Sequence, residues 1–254
     1  MAATTFAGSA WTTAVGDKAV TATPAVGDLI VVIAGTSGLA GGTINVSDNQ
    51  AVAATYTQAG ADFSGFSTTG ILTAWVRNRL ITAASSTIFT ATQTGSSGGG
   101  LVVLRISGMS IVGLGAIRGL GGQSTGTAGT TPAPVLLGRV GSVFSGTLAA
   151  LTTNVVITAV ANGATAASLT VPAGFTEDFD NGYSTPGTGL GVGHDDAGVT
   201  ASTITWGAVS ATQFASIALE VDASVPQYDW VSTGKADKDA QRILQGAVGR
   251  GSVW

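Results

Sequence analysis

Short runs of β-branched and aliphatic residues, bounded by Gly, Ser, Thr, Asn or Asp, recur along the sequence as far as Asp222. Such runs are typical of β-strands, and the small polar residues between them are typical of turns. In the last strand of the first half, the alternation predicts that Leu104 and Ile106 face the core while Arg105 faces water. The strands predicted in the first half are residues 27–34, 43–47, 71–76, 87–91 and 101–106.

Charge is sparse in this chain. Lys and Arg number 10 and Asp and Glu number 14, which is 9% of 254 residues, against about 25% in an average soluble domain. Ala, Gly and Thr number 40, 38 and 36 and together make up close to half of the chain. The net charge of −4 is thinly spread and offers no basic surface for phosphates, so we expect no nucleic-acid partner. The absence of cysteine excludes disulfides, thiolate metal sites and cysteine nucleophiles.

The sequence also predicts no membrane partner. The longest nearly apolar window, residues 108–122, is interrupted by Arg118 and is shorter than the about 20 residues that a membrane helix needs. Residues 1–10 contain no Lys or Arg ahead of an apolar stretch. We therefore expect no secretory signal and synthesis in a cytoplasm.

The second half of the sequence repeats the order of the first. Leu29 corresponds to Val155, 126 residues later, whereas Leu104 corresponds to Leu219, 115 residues later, and the offset changes only between strands. Loops tolerate insertions and deletions better than paired strands do, so this drift predicts an internal duplication. The matched segments are 28–34 with 154–160, 43–46 with 168–171, 56–57 with 175–176, 86–90 with 202–206, and 101–106 with 216–221.

The spacing of the turn signals predicts two similar antiparallel β-sandwich or jelly-roll units, followed by a short helical tail. We place the first unit at residues 1–125, the second at 126–223 and the tail at 224–254. Residues 113–134 are rich in glycine and are interpreted as a long connection between the units. Whether the two copies form separate sandwiches or one merged assembly stays open.

The tail differs in composition from the rest of the chain, because it holds 7 of the 24 charged residues. Ala236, Ala240, Ile243, Leu244 and Ala247 fall on one face of a helix. We predict a docking arm that packs against a sandwich, a sister subunit or a larger assembly. Its expected interaction residues are Tyr228, Trp230, Ile243, Leu244 and Trp254.

Few residues suggest chemistry. Asp178, Asp180 and Asn181 crowd oxygen atoms as calcium loops do, but Gly189 stands where an EF-hand has its closing Glu; a polar turn is favoured. His194 is the only histidine and adjoins two aspartates, which is compatible with a general base. No activated nucleophile is indicated near it, so a solvated loop histidine is favoured. We expect no catalytic residue, no cofactor and no enzymatic activity.

Several aromatic residues could offer stacking faces to sugars, although core packing is the favoured interpretation. They are Trp11, Tyr56, Trp75, Tyr183 and Trp206.

Three segments resemble recurring phrases of a group of tailed-bacteriophage virion proteins. They are residues 23–32 (TPAVGDLIVV), 100–108 (GLVVLRISG) and 168–176 (SLTVPAGFT). The resemblance spans about residues 20–223 and carries no catalytic signature. The sequence departs from it at residues 45–48, where NVSD replaces a Pro-Ala-Gly turn, and in the charged tail.

The resemblance implies a structural module of a phage particle. The expected function is that of a capsid decoration, or cement, protein that forms a homo-oligomer, dimer or trimer, and binds the major capsid protein. Its expected location is the virion. The alternative is a carbohydrate- or receptor-binding module of a tail fibre, which would use the loops around residues 179–194.

Overall fold

The structure is a computed structural model. The residues described in it form an all-β fold with antiparallel sheets, as the sequence predicts, and one short 3-10 helix at Gly113–Ala116. They belong to a compact unit, Met1–Ala223; the second unit, Ser224–Trp254, lies outside the described residues together with the predicted helix and its interaction residues. The structure describes residues 2–37, 43–64, 66, 70–93, 95–129, 131–140, 143–148, 153–163, 169–184, 187–207 and 212–222.

Sixteen strands occur within these described ranges. They are β1 (Ala3–Thr12), β2 (Lys18–Ala22), β3 (Leu29–Ser37), β4 (Asn45–Asp48), β5 (Tyr56–Gln58), β6 (Phe63–Ser64), β7 (Ile71–Arg77), β8 (Thr87–Thr92), β9 (Gly98–Ser107), β10 (Ile117–Gly129), β11 (Leu137–Val140), β12 (Val143–Thr147), β13 (Val155–Asn162), β14 (Thr176–Ser184), β15 (Gly187–Asp195) and β16 (Thr212–Val221).

The strands form three sheets. The first sheet has the order β1-β9-β3-β7-β5, and β6 also pairs with β7. The second sheet has the order β12-β11-β10-β16-β13-β15-β14. The third sheet is smaller and has the order β2-β8-β4.

The first sheet is covered on both faces. Along β3, Val31 and its odd-numbered neighbours pack with the second sheet, whereas Ile30 and Val32 pack with Phe89 of the third sheet. Leu104 and Ile106 are fully buried, as predicted, while the Arg105 side chain is 28% exposed. Residues 101–104 are all buried, however. The expected half-buried strand is therefore buried on both faces along that stretch, because a layer lies on each side of it.

The two halves of the chain share one strand order. The path β1-β9-β3-β7-β5 in the first sheet recurs as β10-β16-β13-β15-β14 in the second. Leu29 of β3 pairs with Ile106 of β9. Adding the offsets of these strands, 126 and 115 residues, gives Val155 and Val221, which also pair with each other. The duplication itself stays a prediction, and this matching register is what a duplicated unit requires.

The correspondence extends to an outer layer that covers the second sheet. Its backbone bonds run from Trp206 N to Pro132 O (3.0 Å), from Ile204 N to Pro134 O (3.0 Å) and from Gly207 N to Thr170 O (2.9 Å). The middle segment, residues 202–206, corresponds in the sequence to residues 86–90 of the β8 region. It lies between the segments that contain Pro134 and Thr170, as β8 lies between β2 and β4 in the third sheet. Four layers therefore stack in the unit.

One polar pair occurs in both halves, but the acidic residue and the hydrogen-bond donor exchange positions between them. In the first half, the Asp28 Oδ2 atom lies 3.8 Å from the Arg105 Nε atom. At the corresponding positions of the second half, the Asn154 Nδ2 atom donates to Glu220 Oε1 at 2.9 Å, and Arg118 pairs with that buried carboxylate at 2.6 Å. Each pair joins the starting end of one central strand to its neighbour.

The interpretation of residues 113–134 as a long connection is wrong. Most of this segment is β10, a strand of 13 residues that pairs with β16, so the boundary predicted near residue 125 falls inside a strand. Glycine serves here for close packing: a Cβ atom on Gly121 would lie 2.2 Å from the Val135 carbonyl oxygen, and one on Gly122 would lie 1.8 Å from the Phe63 ring. Sequence reasoning counted these glycines as turn signals.

Candidate association surface and polar clusters

An apolar groove of about 510 Å³ opens beside one edge of the second sheet. The β11–β12 hairpin forms this edge, and residues of the first sheet and of the 3-10 helix complete the groove. Six apolar side chains line it, together with Gln58 and three glycines. The apolar residues are Phe63, Leu114, Leu120, Leu137, Val143 and Phe144.

Glycines allow the two sheets to approach each other at the bottom of the groove. Gly60 has φ +78°, and a Cβ atom there would lie 2.4 Å from the Leu120 Cδ2 atom. The Phe63 ring packs directly against Gly122. Larger residues at these two positions would displace the Phe63 and Leu120 side chains that shape the groove.

The edge strand of this surface, β12, carries no charged residue and no proline. Val140 is 67% exposed and Val143 is 61% exposed. The neighbouring guanidinium of Arg139 is turned back to the 3-10 helix, where Nη1 donates to the Leu114 carbonyl at 2.6 Å. Proteins commonly protect sheet edges with charge or proline. We call β11, β12 and the adjoining groove the hairpin surface. Among the described residues, no strand pairs with the outer edge of β12, so this edge can accept another β-strand.

A second candidate is the buried ion pair between Arg77 and Asp48. The Nε and Oδ2 atoms are 2.7 Å apart, and neither side chain is exposed. The Tyr56 hydroxyl donates to the same carboxylate at 2.8 Å, while Arg77 Nη1 donates to the carbonyls of Arg79 and Leu80. Burial raises the pKa of Tyr56, and the charge and hydrogen bond of Asp48 raise it further. The cluster ties β4 of the third sheet to the first sheet.

His194 is placed differently from the prediction. It lies in β15 and is 7% exposed, so the solvated loop histidine is wrong. Its Nδ1 atom is 2.7 Å from Asp178 Oδ2, and its Nε2 atom is 4.0 Å from Asp196 Oδ2. Burial by itself lowers the pKa of His194, but the hydrogen bond and charge of Asp178, together with Asp196 and Asp195, outweigh it and raise the pKa above its ordinary value.

The residues considered for calcium lie in β14, so the polar-turn interpretation is wrong. Asp178 is bonded to His194, Asp180 accepts the Leu169 N–H at 2.9 Å, and Asn181 accepts the Gly182 N–H at 2.7 Å. Within the described ranges, no group of three or more His, Asp or Glu side chains is placed to hold a metal ion. The three residues therefore form separate hydrogen bonds and share no ligand.

The described aromatic residues that were weighed as sugar platforms are packed into the protein. Tyr56, Trp75 and Trp206 are buried, and the Trp206 Nε1 atom donates to the Thr158 hydroxyl at 2.9 Å. Trp11 is partly buried and meets the Phe179 ring edge-on, with centroids 6.5 Å apart. The side chain of Tyr183 lies outside the described residues, as do the tail residues Tyr228, Trp230, Ile243, Leu244 and Trp254.

Sequence reasoning did not identify the hairpin surface. The sequence does contain a signal for the hairpin. Gly141 and Ser142 lie between residues 135–140, which contain Val and Leu, and residues 143–147, which contain Val and Phe; this pattern is typical of a β-hairpin. The groove beneath it gave no comparable signal, since it arises where separate sheets meet.

Comparison with known proteins gives no relative from which to transfer a function. No family model, curated protein sequence or solved structure matches the chain significantly. The part of the chain that the structure describes contains no helix with the length and apolar character of a membrane span.

Proposed function

We propose that the protein is a structural component of a tailed-phage particle and acts as a capsid decoration protein. In this proposal it forms a homo-oligomer and binds the major capsid protein lattice, which stabilises the shell. The resemblance of residues 23–32, 100–108 and 168–176 to virion proteins supports the setting. The observation that carries the association is the uncharged β12 edge together with two exposed valines, Val140 of β11 and Val143 of β12.

The occupant that we assign to the hairpin surface is a second copy of the chain. A two-fold contact would place β12 of one copy antiparallel to β12 of the other, with the same residues on both sides of the interface. Main-chain hydrogen bonds between the strands would supply affinity, and the side chains seated in the groove would supply specificity.

Burial of the valines alone is insufficient for stable association. Fully burying a Val contributes about 1.5 kcal/mol or more, so the exposed parts of Val140 and Val143 contribute about 4 kcal/mol across a two-fold interface. Association costs at least about 4 kcal/mol in lost freedom. The groove beside β12 must therefore also be filled, and a tight oligomer requires both features.

Sedimentation velocity of the purified full chain tests the self-association. The wild-type protein should sediment as a dimer or larger oligomer, and Val143→Lys should shift it to monomer. Val26→Lys is the matched control, because Val26 is 64% exposed in the turn before β3. A wild-type monomer at all concentrations, or equal effects of the two variants, would refute this use of the hairpin surface.

Co-sedimentation with empty capsids, built from the major capsid protein of the same genome, tests the larger proposal. We expect saturable binding to the assembled shells. Lack of capsid binding combined with specific binding to a glycan array would overturn the decoration function in favour of a tail-fibre receptor module.

A further inference from the structure

A polar contact joins the edge of the first sheet to the second sheet. The backbone N–H of Thr4, near the start of β1, donates to the Asp196 Oδ1 atom at 2.9 Å. Asp196 directly follows β15, and β1 also lies against β14. This hydrogen bond therefore spans the boundary between the two largest sheets at one corner of the fold.

His194 stands between the carboxylate that makes this bond and a second carboxylate. One ring nitrogen is 2.7 Å from Asp178, and the other is 4.0 Å from Asp196. Asp195 is next in sequence, and its Oδ1 atom accepts the Ala197 N–H at 2.8 Å. Among the described residues, His194 is the one cationic group paired with Asp178 and Asp196.

The strands packed around His194 supply no other positive charge. β1, β3 and β13 contain no charged residue, and β13 places the apolar Ile157 opposite His194. β14 adds only acidic residues: Glu177 is exposed, and Asp180 is engaged with the Leu169 N–H. The charge of the imidazole therefore decides the electrostatic balance of this corner.

We propose that Asp178, His194 and Asp196 form a pH-sensitive latch that holds the start of β1 against the second sheet. When the imidazole is protonated, both ring nitrogens are donors, and each faces a carboxylate. When it is neutral, an Nδ1–H bond to Asp178 leaves a lone pair on Nε2 facing Asp196. Asp196 then loses its attractive partner, and its hold on the Thr4 N–H weakens.

The direction of the pH dependence follows from linkage. The pKa of His194 is raised in the folded protein above its ordinary value of 6.5. The stabilisation is therefore fully present below about pH 6.5 and is lost as the pH rises through the folded pKa. Each unit by which the pKa is raised corresponds to about a tenfold change in the equilibrium.

Proton NMR of the wild-type full chain gives the first measurement, because the single imidazole resonance belongs to His194. A titration midpoint above 6.5 is expected. In parallel, hydrogen exchange of the Thr4 amide, corrected for the intrinsic pH dependence of exchange, should accelerate with the same midpoint. The change should stay below about tenfold per unit of raised pKa, because Asp178 keeps its bond to His194 when Thr4 is released, while amides of β3 stay unaffected.

Variants separate the latch from other titrations, including that of the N-terminal amine. His194→Gln should abolish the pH dependence of Thr4 protection, and Asp178→Asn should move its midpoint to lower pH. Asp62→Asn is the control, since that exposed carboxylate bonds Gln58 elsewhere. A wild-type midpoint at or below 6.5, pH-independent Thr4 protection, or an unchanged profile in His194→Gln would overturn the proposal.

Discussion

Replacing Asp48 by Asn should destabilise the protein strongly while preserving the shape of the side chain. The substitution removes the negative charge that faces the Arg77 guanidinium, whose side chain is completely buried. It also weakens acceptance of the Tyr56 hydroxyl and the Gln50 N–H, which donate to the carboxylate at 2.8 and 3.0 Å. A buried cation would then lack a counter-charge.

The expected loss in free energy of unfolding is about 3 to 5 kcal/mol, the usual cost of removing one partner of a buried ion pair. Tyr56→Phe deletes only one of the hydrogen bonds and should cost about 1 to 2 kcal/mol. The double variant Asp48→Asn/Arg77→Met should cost less than the sum of its single changes, because the second substitution removes the stranded cation. These three results form a ranked series.

Urea unfolding at neutral pH, followed by far-ultraviolet circular dichroism and tryptophan fluorescence, measures the series. Asp62→Asn is the matched control, since it makes the same chemical change at an exposed side chain bonded to Gln58. A loss below about 1 kcal/mol for Asp48→Asn, or strict additivity in the double variant, would contradict the role assigned to the ion pair.

Two further predictions concern packing and the tail. Gly122→Ala should lower the free energy of unfolding by about 1 to 3 kcal/mol, because its methyl group would collide with the Phe63 ring. Gly138→Ala is the control and should have little effect, since the nearest neighbour of its methyl group, a Leu148 methyl group, is 3.5 Å away. Chemical denaturation compares the two variants, and equal losses in free energy of unfolding would contradict the packing argument. Deleting residues 226–254 should leave the β-type circular dichroism nearly unchanged and weaken oligomer or particle attachment, as measured by sedimentation; a truncated chain that fails to fold would refute the docking arm.

The central strands could be predicted because each contains a run of at least four apolar residues. Residues 27–34 and 101–106 were recognised in this way, and they form the middle of the first sheet. The correspondence between strands of the two halves could also be predicted. The offsets found at Leu29 and Leu104 relate the pairing of β3 with β9 to the pairing of β13 with β16.

The strands that escaped prediction lack this signal. β14 contains the acidic run around Asp178, and β10 contains glycines that pack against Phe63 and the Val135 carbonyl. β10 pairs with β16, which is distant in sequence, whereas β14 pairs with the next strand, β15. Composition alone points instead to turns at both places.

The candidate sites depended still more on tertiary structure. Asp178 and His194 are 16 residues apart, and Thr4 and Asp196 are 192 apart. The first contact requires β14 to pair with β15, and the second also requires β1 to pack against that pair. The sequence shows His194 beside two aspartates, but it does not show that the imidazole lies between Asp178 and Asp196.

The layered arrangement has a consequence for synthesis on the ribosome. All strands of the first and third sheets lie between Ala3 and Ser107, whereas all strands of the second sheet lie between Ile117 and Val221. At about 5 to 20 residues per second, the later strands emerge about 5 to 25 seconds after the earlier ones. During that interval the face bearing Val31 and Leu104 has no covering layer from its own chain. The nascent protein therefore presents an uncovered apolar sheet face to chaperones and to neighbouring nascent chains until its second half has been synthesised.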